Sequence, residues 1–356
     1  MNDFIPALLK EMESRRDYLG TAPVETVYLG GGTPSLLDPS ALDRILQRLR
    51  LLFPLEPGAE ITLEANPDDM TDRRRLADWR SIGINRLSIG IQSFFDEDLQ
   101  WMNRAHRAGQ ASDAIGLAKE EGFDNLSIDL IYGGPTLPDD HWQRNVAEAT
   151  RWQIPHLSCY ALTVEPRTAL DKLIRQHKRA EVSPDDQARQ FLLLMEWLTR
   201  AGYEHYEISN FALPGHRSRH NSAYWQGKPY LGLGPSAHSF DGRSREWNLA
   251  NNALYIAAAA AGELPVAEKE TLTIVQRFNE YIMISLRTIE GVDLATVNRR
   301  FGPEAADTLL KRAKRYVHQG MMLQSEKLIL TDEGKLLADG IAADLFSDAG
   351  AAPGGS

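Results

Sequence analysis

Two hydrophobic periods alternate along the first two hundred residues. Short apolar runs of strand length alternate with segments in which apolar residues recur every three or four positions, the spacing of a helix. Three of the predicted helices end at a glycine, and a strand follows within a few residues. This order, at about 30–40 residues per unit, is typical of parallel strands joined by crossover helices. The predicted strands are 24–29, 61–67, 86–93, 125–131, 156–163 and 206–208.

The pattern predicts an α/β fold with an open or partial β/α barrel, and a doubly wound sheet is the alternative. We expect the barrel core over residues 1–210 and a connecting segment rich in histidine, aromatic residues and glycine over 211–272. Helices and then a hairpin-like pair of strands follow over 273–346, which predicts a winged-helix-like α+β region. Residues 347–356 are rich in Gly, Ala, Ser and Pro and are predicted to be disordered.

Polar residues stand where the predicted strands end. In a β/α barrel the carboxyl ends of the strands form one mouth, so these residues predict a small-molecule site there. The first strand runs into three glycines, whose bare N–H groups could hold a carboxylate or a phosphate. No Gly-Lys-Ser/Thr follows, which disfavours a phosphate-binding P-loop. The polar strand ends are Gly30 to Gly32, Glu64 with Asn66, Gln92 with Ser93, Asp129, Thr163 with Glu165, and Asn210.

Composition narrows the classes of protein. The 356 residues are 43% hydrophobic and carry a net charge of -10, which argues against a general nucleic-acid binder. The single cysteine, Cys159, excludes an internal disulfide, an all-cysteine cluster and an all-cysteine zinc site within this sequence, and we interpret it as a buried apolar residue. No signal peptide or membrane-spanning run is visible, so we expect a cytoplasmic protein.

Five motifs, in this order and spacing, resemble those of the radical-SAM coproporphyrinogen III oxidase-like family, and most closely its heme-chaperone branch. The resemblance covers about residues 1–346, and the His-Asn-x-x-Tyr-Trp stretch points to the chaperone branch rather than the oxidase. The motifs are Gly30-Gly31-Gly32-Thr33-Pro34-Ser35, Glu64-Ala65-Asn66-Pro67, Ser88-Ile89-Gly90-Ile91-Gln92-Ser93, Asp129-Leu130-Ile131-Tyr132-Gly133-Gly134-Pro135 and His220-Asn221-Ser222-Ala223-Tyr224-Trp225.

The resemblance implies roles for particular residues in binding S-adenosylmethionine (SAM). Gly31 and Gly32, followed by Thr33, would meet the methionine moiety, and Glu64 and Gln92 would bond polar groups of the cofactor. Arg104 would pair with the cofactor carboxylate, a task suited to a guanidinium group. Asp129 would accept hydrogen bonds from the ribose hydroxyls.

The family also holds a [4Fe–4S] cluster on a Cys-x-x-x-Cys-x-x-Cys loop after its first strand. That strand and loop would lie before Met1, and nothing in this sequence replaces them, so we predict no metal ligands here. The expected fold is therefore a partial (β/α)6 radical-SAM-type barrel that lacks its first strand. The exposed edge of strand 24–29 would favour a truncated gene model over a protein that works without the cluster. We expect that the chain as given cannot cleave SAM reductively.

Three functions stay open. The first is a heme chaperone that binds heme and delivers it to an acceptor protein, with His220 and His238 as candidate heme ligands in an aromatic, glycine-rich segment. The second is an oxygen-independent coproporphyrinogen III oxidase of porphyrin biosynthesis, so whether the chain is an enzyme is undecided. The third, a winged-helix DNA-binding regulator, is disfavoured because its basic cluster is modest. Homodimer formation and peripheral membrane contact are left open, and no nucleic-acid partner is expected.

Overall fold

The computed structural model describes residues 3–347. The predicted disordered tail, 347–356, lies outside these residues except for Ser347. The helices are α1 (Phe4–Ser14), α2 (Pro39–Leu52), α3 (Arg73–Ser81), α4 (Asp96–Trp101), α5 (Ala108–Glu120), α6 (Asp139–Arg151), α7 (Ala169–Arg175), α8 (Pro184–Arg200), α9 (Arg219–Trp225), α10 (Asn252–Ala261), α11 (Ile274–Leu286), α12 (Leu294–Phe301), α13 (Pro303–His318), α14 (Asp332–Lys335) and α15 (Ala338–Leu345). The strands are β1 (Val24–Leu29), β2 (Leu55–Ala65), β3 (Arg86–Gln92), β4 (Leu126–Tyr132), β5 (His156–Ala161), β6 (Glu204–Glu207), β7 (Asn210–Ala212), β8 (His238–Phe240), β9 (Ser244–Asn248), β10 (Val266–Thr271), β11 (Val292–Asp293), β12 (Met322–Gln324) and β13 (Lys327–Leu330).

The largest sheet has the strand order β1-β2-β3-β4-β5-β7-β6, and β2 to β5 run parallel. All seven residues of β3 are buried, as expected for a strand whose two faces are both covered. β1 is an edge strand of this sheet, as the sequence predicted. The α/β fold with a parallel half-barrel sheet, followed by a region of helices and small antiparallel sheets, is thereby confirmed.

Local signals in the sequence explain where the helices begin. The Asp38 carboxylate accepts from the backbone N–H of Ser40 at 2.9 Å, and Pro39 occupies the first turn of α2, as predicted. Ser183 caps α8 in the same way, through a bond from the backbone N–H of Asp186. Each cap satisfies a backbone N–H that the helix itself leaves without a partner.

The sixth predicted strand, β6, runs in the direction of β2 to β5, as expected after a crossover, but it is not the neighbour of β5. β6 pairs antiparallel with β7, and β7 lies between β6 and β5. Only two residues, Ile208 and Ser209, separate β6 from β7. A parallel neighbour needs a crossover of a dozen or more residues, so this short link imposes a hairpin.

The chain divides into two compact units, and each is described separately. Unit 2 consists of Tyr28–Leu37 and Glu60–Ser218. Its core is formed by apolar residues of the parallel strands, such as Leu63, Ile89 and Ile128, all of which are fully buried. The indoles of Trp79 on α3 and Trp142 on α6 are also fully buried, so the helices complete this core.

Unit 1 consists of Met1–Val27, Asp38–Ala59 and Arg219–Ser356. Helix α1 packs on α10 through the buried residues Ala7, Tyr255 and Ala259. The strands β8, β9 and β10 form one antiparallel sheet, and β11, β13 and β12 form a second. The order α11, β11, α12, α13 and the pair β12–β13 has the helix and hairpin arrangement predicted for a winged-helix-like region.

Within residues 3–347, every helix is too short or too polar to cross a membrane.

Candidate functional site

The glycine loop after β1 has a backbone that most residues could not adopt. Gly31 and Gly32 have φ angles of +76° and +69°, in the left-handed region that favours glycine. A Cβ on Gly30 would lie 2.5 Å from Cε1 of Tyr28 and 2.9 Å from Oε1 of Glu64. The loop is therefore specified by the close approach of other groups at Gly30 and by conformation at Gly31 and Gly32.

Glu64, at the end of β2, is the carboxylate that organises this loop. Its Oε2 accepts from the backbone N–H of Gly31 at 3.1 Å, and its Oε1 accepts from the hydroxyl of Tyr28 at 2.6 Å. Burial, and then the charge of Glu64, raise the pKa of Tyr28, so the phenol stays a donor. The glycine N–H groups were expected to hold a carboxylate or phosphate, and one of them binds a carboxylate of the protein itself.

A pocket of about 150 Å³ opens beside the loop. It collects residues from three neighbouring parallel strands and from the glycine loop, which is the predicted mouth at the strand ends. Its lining residues are Gly32, Thr33, Pro34, Glu64, Ala65, Asn66, Ser88, Gly90, Gln92 and Asp129. Five predicted residues, Gly32, Thr33, Glu64, Gln92 and Asp129, are thus brought together.

Asp129 on β4 is the second carboxylate of the pocket. Burial, and then the neighbouring charge of Glu64, raise its pKa to about 6. A hydrogen bond from Ser158 and the positive charges of Arg86 and Arg104 oppose the rise. This carboxylate therefore gains its charge close to neutral pH.

Gln92 is held in an unusual backbone conformation. Its φ angle is +66°, and the register of β3 against β4 shifts between Ile89 and Gln92. A side-chain-bearing residue in the left-handed region is strained by roughly 1–2 kcal/mol, a cost that is common at ligand sites. The local irregularity turns the buried Gln92 side chain into the pocket wall.

Two predicted residues are placed differently from the rest. Gly31 contacts Glu64 but is not one of the residues that line the pocket. Arg104 also lies outside the lining set, on the loop after α4, where its charge acts on Asp129 and Asp68. Its role toward the cofactor stays a prediction.

Sequence reasoning did not single out Ser88 and Gly90 as site residues, although both line the pocket. Successive residues of a strand point to opposite faces, so Ser88 and Gly90 share one face of β3. In the sequence, Ser88 and Gly90 alternate with the apolar residues Leu87, Ile89 and Ile91. This alternation could have identified them as residues of the pocket face. A Cβ on Gly90 would lie 3.0 Å from Nε2 of Gln92, so the glycine leaves room for that amide.

The candidate heme ligands both lie in unit 1. Nδ1 of His220 is 2.9 Å from Oγ1 of Thr26, and its ring packs edge-on against Tyr224 at 5.1 Å. His238 begins β8, is exposed, and stacks on Trp247 at 5.8 Å. Each imidazole thus packs against an aromatic ring.

Cys159 is buried on β5, as predicted, and burial raises the pKa of its thiol. A buried neutral thiol is a poor metal ligand because the thiolate is the binding form. Across residues 3–347, no three His, Cys, Asp or Glu side chains are grouped in a way that could hold a metal ion. These residues do not fit a [4Fe–4S] cluster, whereas the pocket with its close-approach glycines fits a small organic cofactor.

Two family models match the chain. The model of the Radical SAM superfamily matches residues 7–149, and that of the HemN C-terminal domain matches residues 273–337. The second match covers much of the winged-helix-like region.

Two relatives that match over most of their length are described as heme chaperones. The heme chaperone HemW of Mycobacterium tuberculosis is 37% identical over 341 residues, covering 96% of this chain and 85% of that protein. The heme chaperone HemW of Bacillus subtilis is 31% identical over 342 residues, covering 95% and 90%. The solved coproporphyrinogen III oxidase HemN of Escherichia coli, a radical SAM enzyme, superposes with a TM-score of 0.83 at 24% identity, covering 97% of this chain and 83% of that one.

Proposed function

The chain belongs to the HemW family of heme chaperones within the radical SAM superfamily, and from this premise we propose that it binds heme and delivers it to an acceptor protein. The observation that carries the proposal is the match to HemW proteins, which covers most of this chain and most of each HemW protein. The likeness to HemN supports a shared fold and no more, because the identity is 24%.

His220 is our first candidate for the heme-iron ligand. Its Nδ1 lies 2.9 Å from Oγ1 of Thr26, which holds the ring in place. A hydrogen bond on one ring nitrogen fixes the orientation of the other, which is how ligating histidines are usually held. The rings of Tyr224 and Tyr230, which lie 4.7 Å apart beside it, supply apolar surface of the kind a porphyrin covers.

A heme titration tests this proposal. We expect the His220→Ala variant to lose the heme absorbance spectrum of the parent and to bind at least about tenfold more weakly. The His238→Ala variant tests the second candidate in the same way. His318→Ala, an exposed histidine at the end of α13, is the matched control and should bind heme as the parent does.

Delivery is measured separately, by mixing the heme-loaded protein with a heme-free acceptor and following the acceptor spectrum. If both His220→Ala and His238→Ala keep the parent spectrum and affinity, the ligand assignment is wrong. If the parent binds no heme at all, the chaperone proposal is wrong. Formation of protoporphyrinogen from coproporphyrinogen would instead support the oxidase alternative.

For the pocket of unit 2 we propose SAM as the ligand. Membership of the radical SAM superfamily supports this, and the lining residues Thr33, Glu64, Gln92 and Asp129 offer hydrogen-bonding groups for amine and hydroxyl groups. The superfamily also implies a [4Fe–4S] cluster, for which the residues of this sequence offer no thiolate set. We therefore derive no reductive step here. Homodimer formation, peripheral membrane contact and cytoplasmic localisation stay predictions.

A further inference from the structure

A row of polar residues runs away from the pocket through the sheet. Asp129 on β4 pairs with Ser158 on β5, Ser158 pairs with Asn210 on β7, and Asn210 pairs with Glu207 on β6. Directly paired residues present their side chains on the same face of a sheet. Ser158, Asn210 and Glu207 are 3%, 3% and 1% exposed, so the row leads from the pocket wall into the interior. We call these four residues the polar row.

Hydrogen bonds fix the direction of the polar row from its inner end. Oε2 of Glu207 accepts from Nδ2 of Asn210 at 2.5 Å and from the backbone N–H of Ser209 at 3.1 Å. A carboxylate only accepts, so the Asn210 amide must turn its NH2 group toward it. Oδ1 of Asn210 then faces Ser158 and accepts from its hydroxyl at 3.1 Å. Ser158 also lies directly opposite Asp129 in the register of β5 against β4, and its hydroxyl lowers the pKa of the Asp129 carboxyl.

The Ser158 hydroxyl therefore has three polar neighbours, Asn210, Asp129 and the hydroxyl of Tyr160, and its single hydrogen can go to one acceptor at a time. When Asp129 is ionised, the hydroxyl can turn and donate to that carboxylate. When Asp129 is protonated, the carboxyl can donate to the Ser158 oxygen, and Ser158 donates to Asn210. Both protonation states of Asp129 are hydrogen-bonded, and in both the carboxyl group is held in one orientation.

We propose that Ser158 is a positioning residue for Asp129, held in turn by Asn210 and Glu207, and that it aims the Asp129 carboxylate at the ribose hydroxyls of SAM. The inference rests on the proposed SAM site. It gives a role to three buried residues that do not line the pocket, Ser158, Asn210 and Glu207. It also predicts a pH dependence, because the row acts differently on the two states of Asp129.

Other charged and titratable groups also act on Asp129, and together they set its pKa in the parent protein, against which the variants are compared. Burial and Glu64 raise the pKa of Asp129 to about 6, while Ser158, Arg86 and Arg104 lower it. Three neutral groups around it have raised pKa values of their own, so they stay uncharged near pH 6. These are Tyr28, Cys159 and Tyr160.

The first test is a carboxyl-carbon NMR titration of Asp129 in the SAM-free protein. Ser158→Ala removes a donor to the ionised form, so the Asp129 pKa should rise by about one pH unit. Asn210→Ala removes the acceptor to which Ser158 donates at 3.1 Å, so the hydroxyl donates more to Asp129 and the Asp129 pKa should fall. Ser127→Ala removes another buried serine hydroxyl, bonded to His156 at 2.7 Å, and should leave Asp129 unchanged.

The opposite signs are the discriminating result. A merely structural role would move both variants in the same direction or neither, and either outcome would overturn the proposal. Thermal unfolding identifies a variant that has lost its fold. If Asn210→Ala unfolds, Asn210→Leu replaces it, because leucine fills the space of the asparagine and also lacks the oxygen to which Ser158 donates. Ser158→Thr keeps the hydroxyl and should restore the parent value.

The second test is calorimetric SAM affinity against pH. The ionised form accepts from the ribose hydroxyls, so affinity should rise as pH passes about 6 and level off above it. In Ser158→Ala that rise should move upward by about one pH unit, which weakens binding about threefold at pH 6.5 from protonation alone. A further loss at pH 8.5, where both proteins are ionised, measures lost positioning, and equal affinity there overturns that role. If the parent binds no SAM, the proposed site is wrong, and the NMR result still decides the polar row.

Discussion

The substitution Gly30→Ala tests the packing of the glycine loop most directly. The new Cβ would lie 2.5 Å from Cε1 of Tyr28 and 2.9 Å from Oε1 of Glu64, and real Cβ atoms do not approach other atoms so closely. Neither neighbour can move alone, because Tyr28 donates to Glu64 at 2.6 Å and Glu64 also accepts from Gly31. The methyl group must therefore displace a hydrogen-bonded pair.

The magnitude follows from two contributions. Forcing an extra methyl group into a packed site costs about 1–3 kcal/mol, and the bond of Tyr28 to a charged acceptor contributes about 1.5–3 kcal/mol if it is lost. Since partial relaxation spares some of each, we expect the free energy of unfolding to fall by about 2 kcal/mol. Glu64 lines the pocket, so its displacement should weaken SAM binding by about tenfold or more.

Urea unfolding and calorimetric SAM titration measure the two effects. Gly116→Ala is the matched control in the same unit, because its Cβ on α5 would meet only Trp152, at an ordinary 3.7 Å. Because alanine favours a helix interior over glycine, Gly116→Ala should raise the free energy of unfolding by about 0.5–1 kcal/mol and leave the affinity for SAM unchanged. If Gly30→Ala bound SAM as tightly as the parent and unfolded at the same urea concentration, the close approach at Gly30 would not organise the site.

Two further predictions concern buried groups. The Glu11 carboxylate of α1 accepts from the backbone N–H of Gly234, from Asn248 and from the hydroxyl of Tyr255. In urea unfolding, Glu11→Ala should therefore lower the free energy of unfolding of unit 1 by about 3 kcal/mol or more. Tyr255→Phe removes one of these donors and should lower it by less. The chain as given, incubated with iron, sulfide and a reductant, should gain no cluster absorbance and form no 5′-deoxyadenosine, because Cys159 is its one cysteine and is buried; the appearance of both would refute this.

The order of strands and the site at their ends were predictable from the sequence, for a geometric reason. Parallel strands joined by crossovers all end at one edge of the sheet, so polar residues that follow each apolar run must meet there. Glu64, Gln92 and Asp129 could be assigned to one pocket on that basis before any coordinates. The period-two pattern of β3 would have added Ser88 and Gly90.

Other features depend on interactions that single-residue preferences do not encode. No propensity indicates that Gln92 adopts φ +66°, because glutamine rarely does so and the surrounding sheet imposes it. The hairpin of β6 and β7 inserts the antiparallel strand β7 between β5 and β6, which the strand–helix repeat did not predict, and only the short link at 208–209 signals it. The charge of Arg104 acts on Asp129, yet Arg104 does not line the pocket. The position of such a loop residue is set by tertiary packing and not by its own sequence.

The charge of the pocket and its glycine loop point to opposite kinds of ligand. Glycine-rich loops commonly bind phosphates, but here the Gly31 N–H is directed to Glu64, and Asp129 brings a second carboxylate to the same wall. None of the lining residues is a lysine or an arginine. A phosphate would therefore meet two like charges at close range, whereas a ligand with a sulfonium and an ammonium group would meet opposite ones. The arrangement thus favours a ligand with positive charge over a phosphate, which agrees with the SAM that we propose for this pocket.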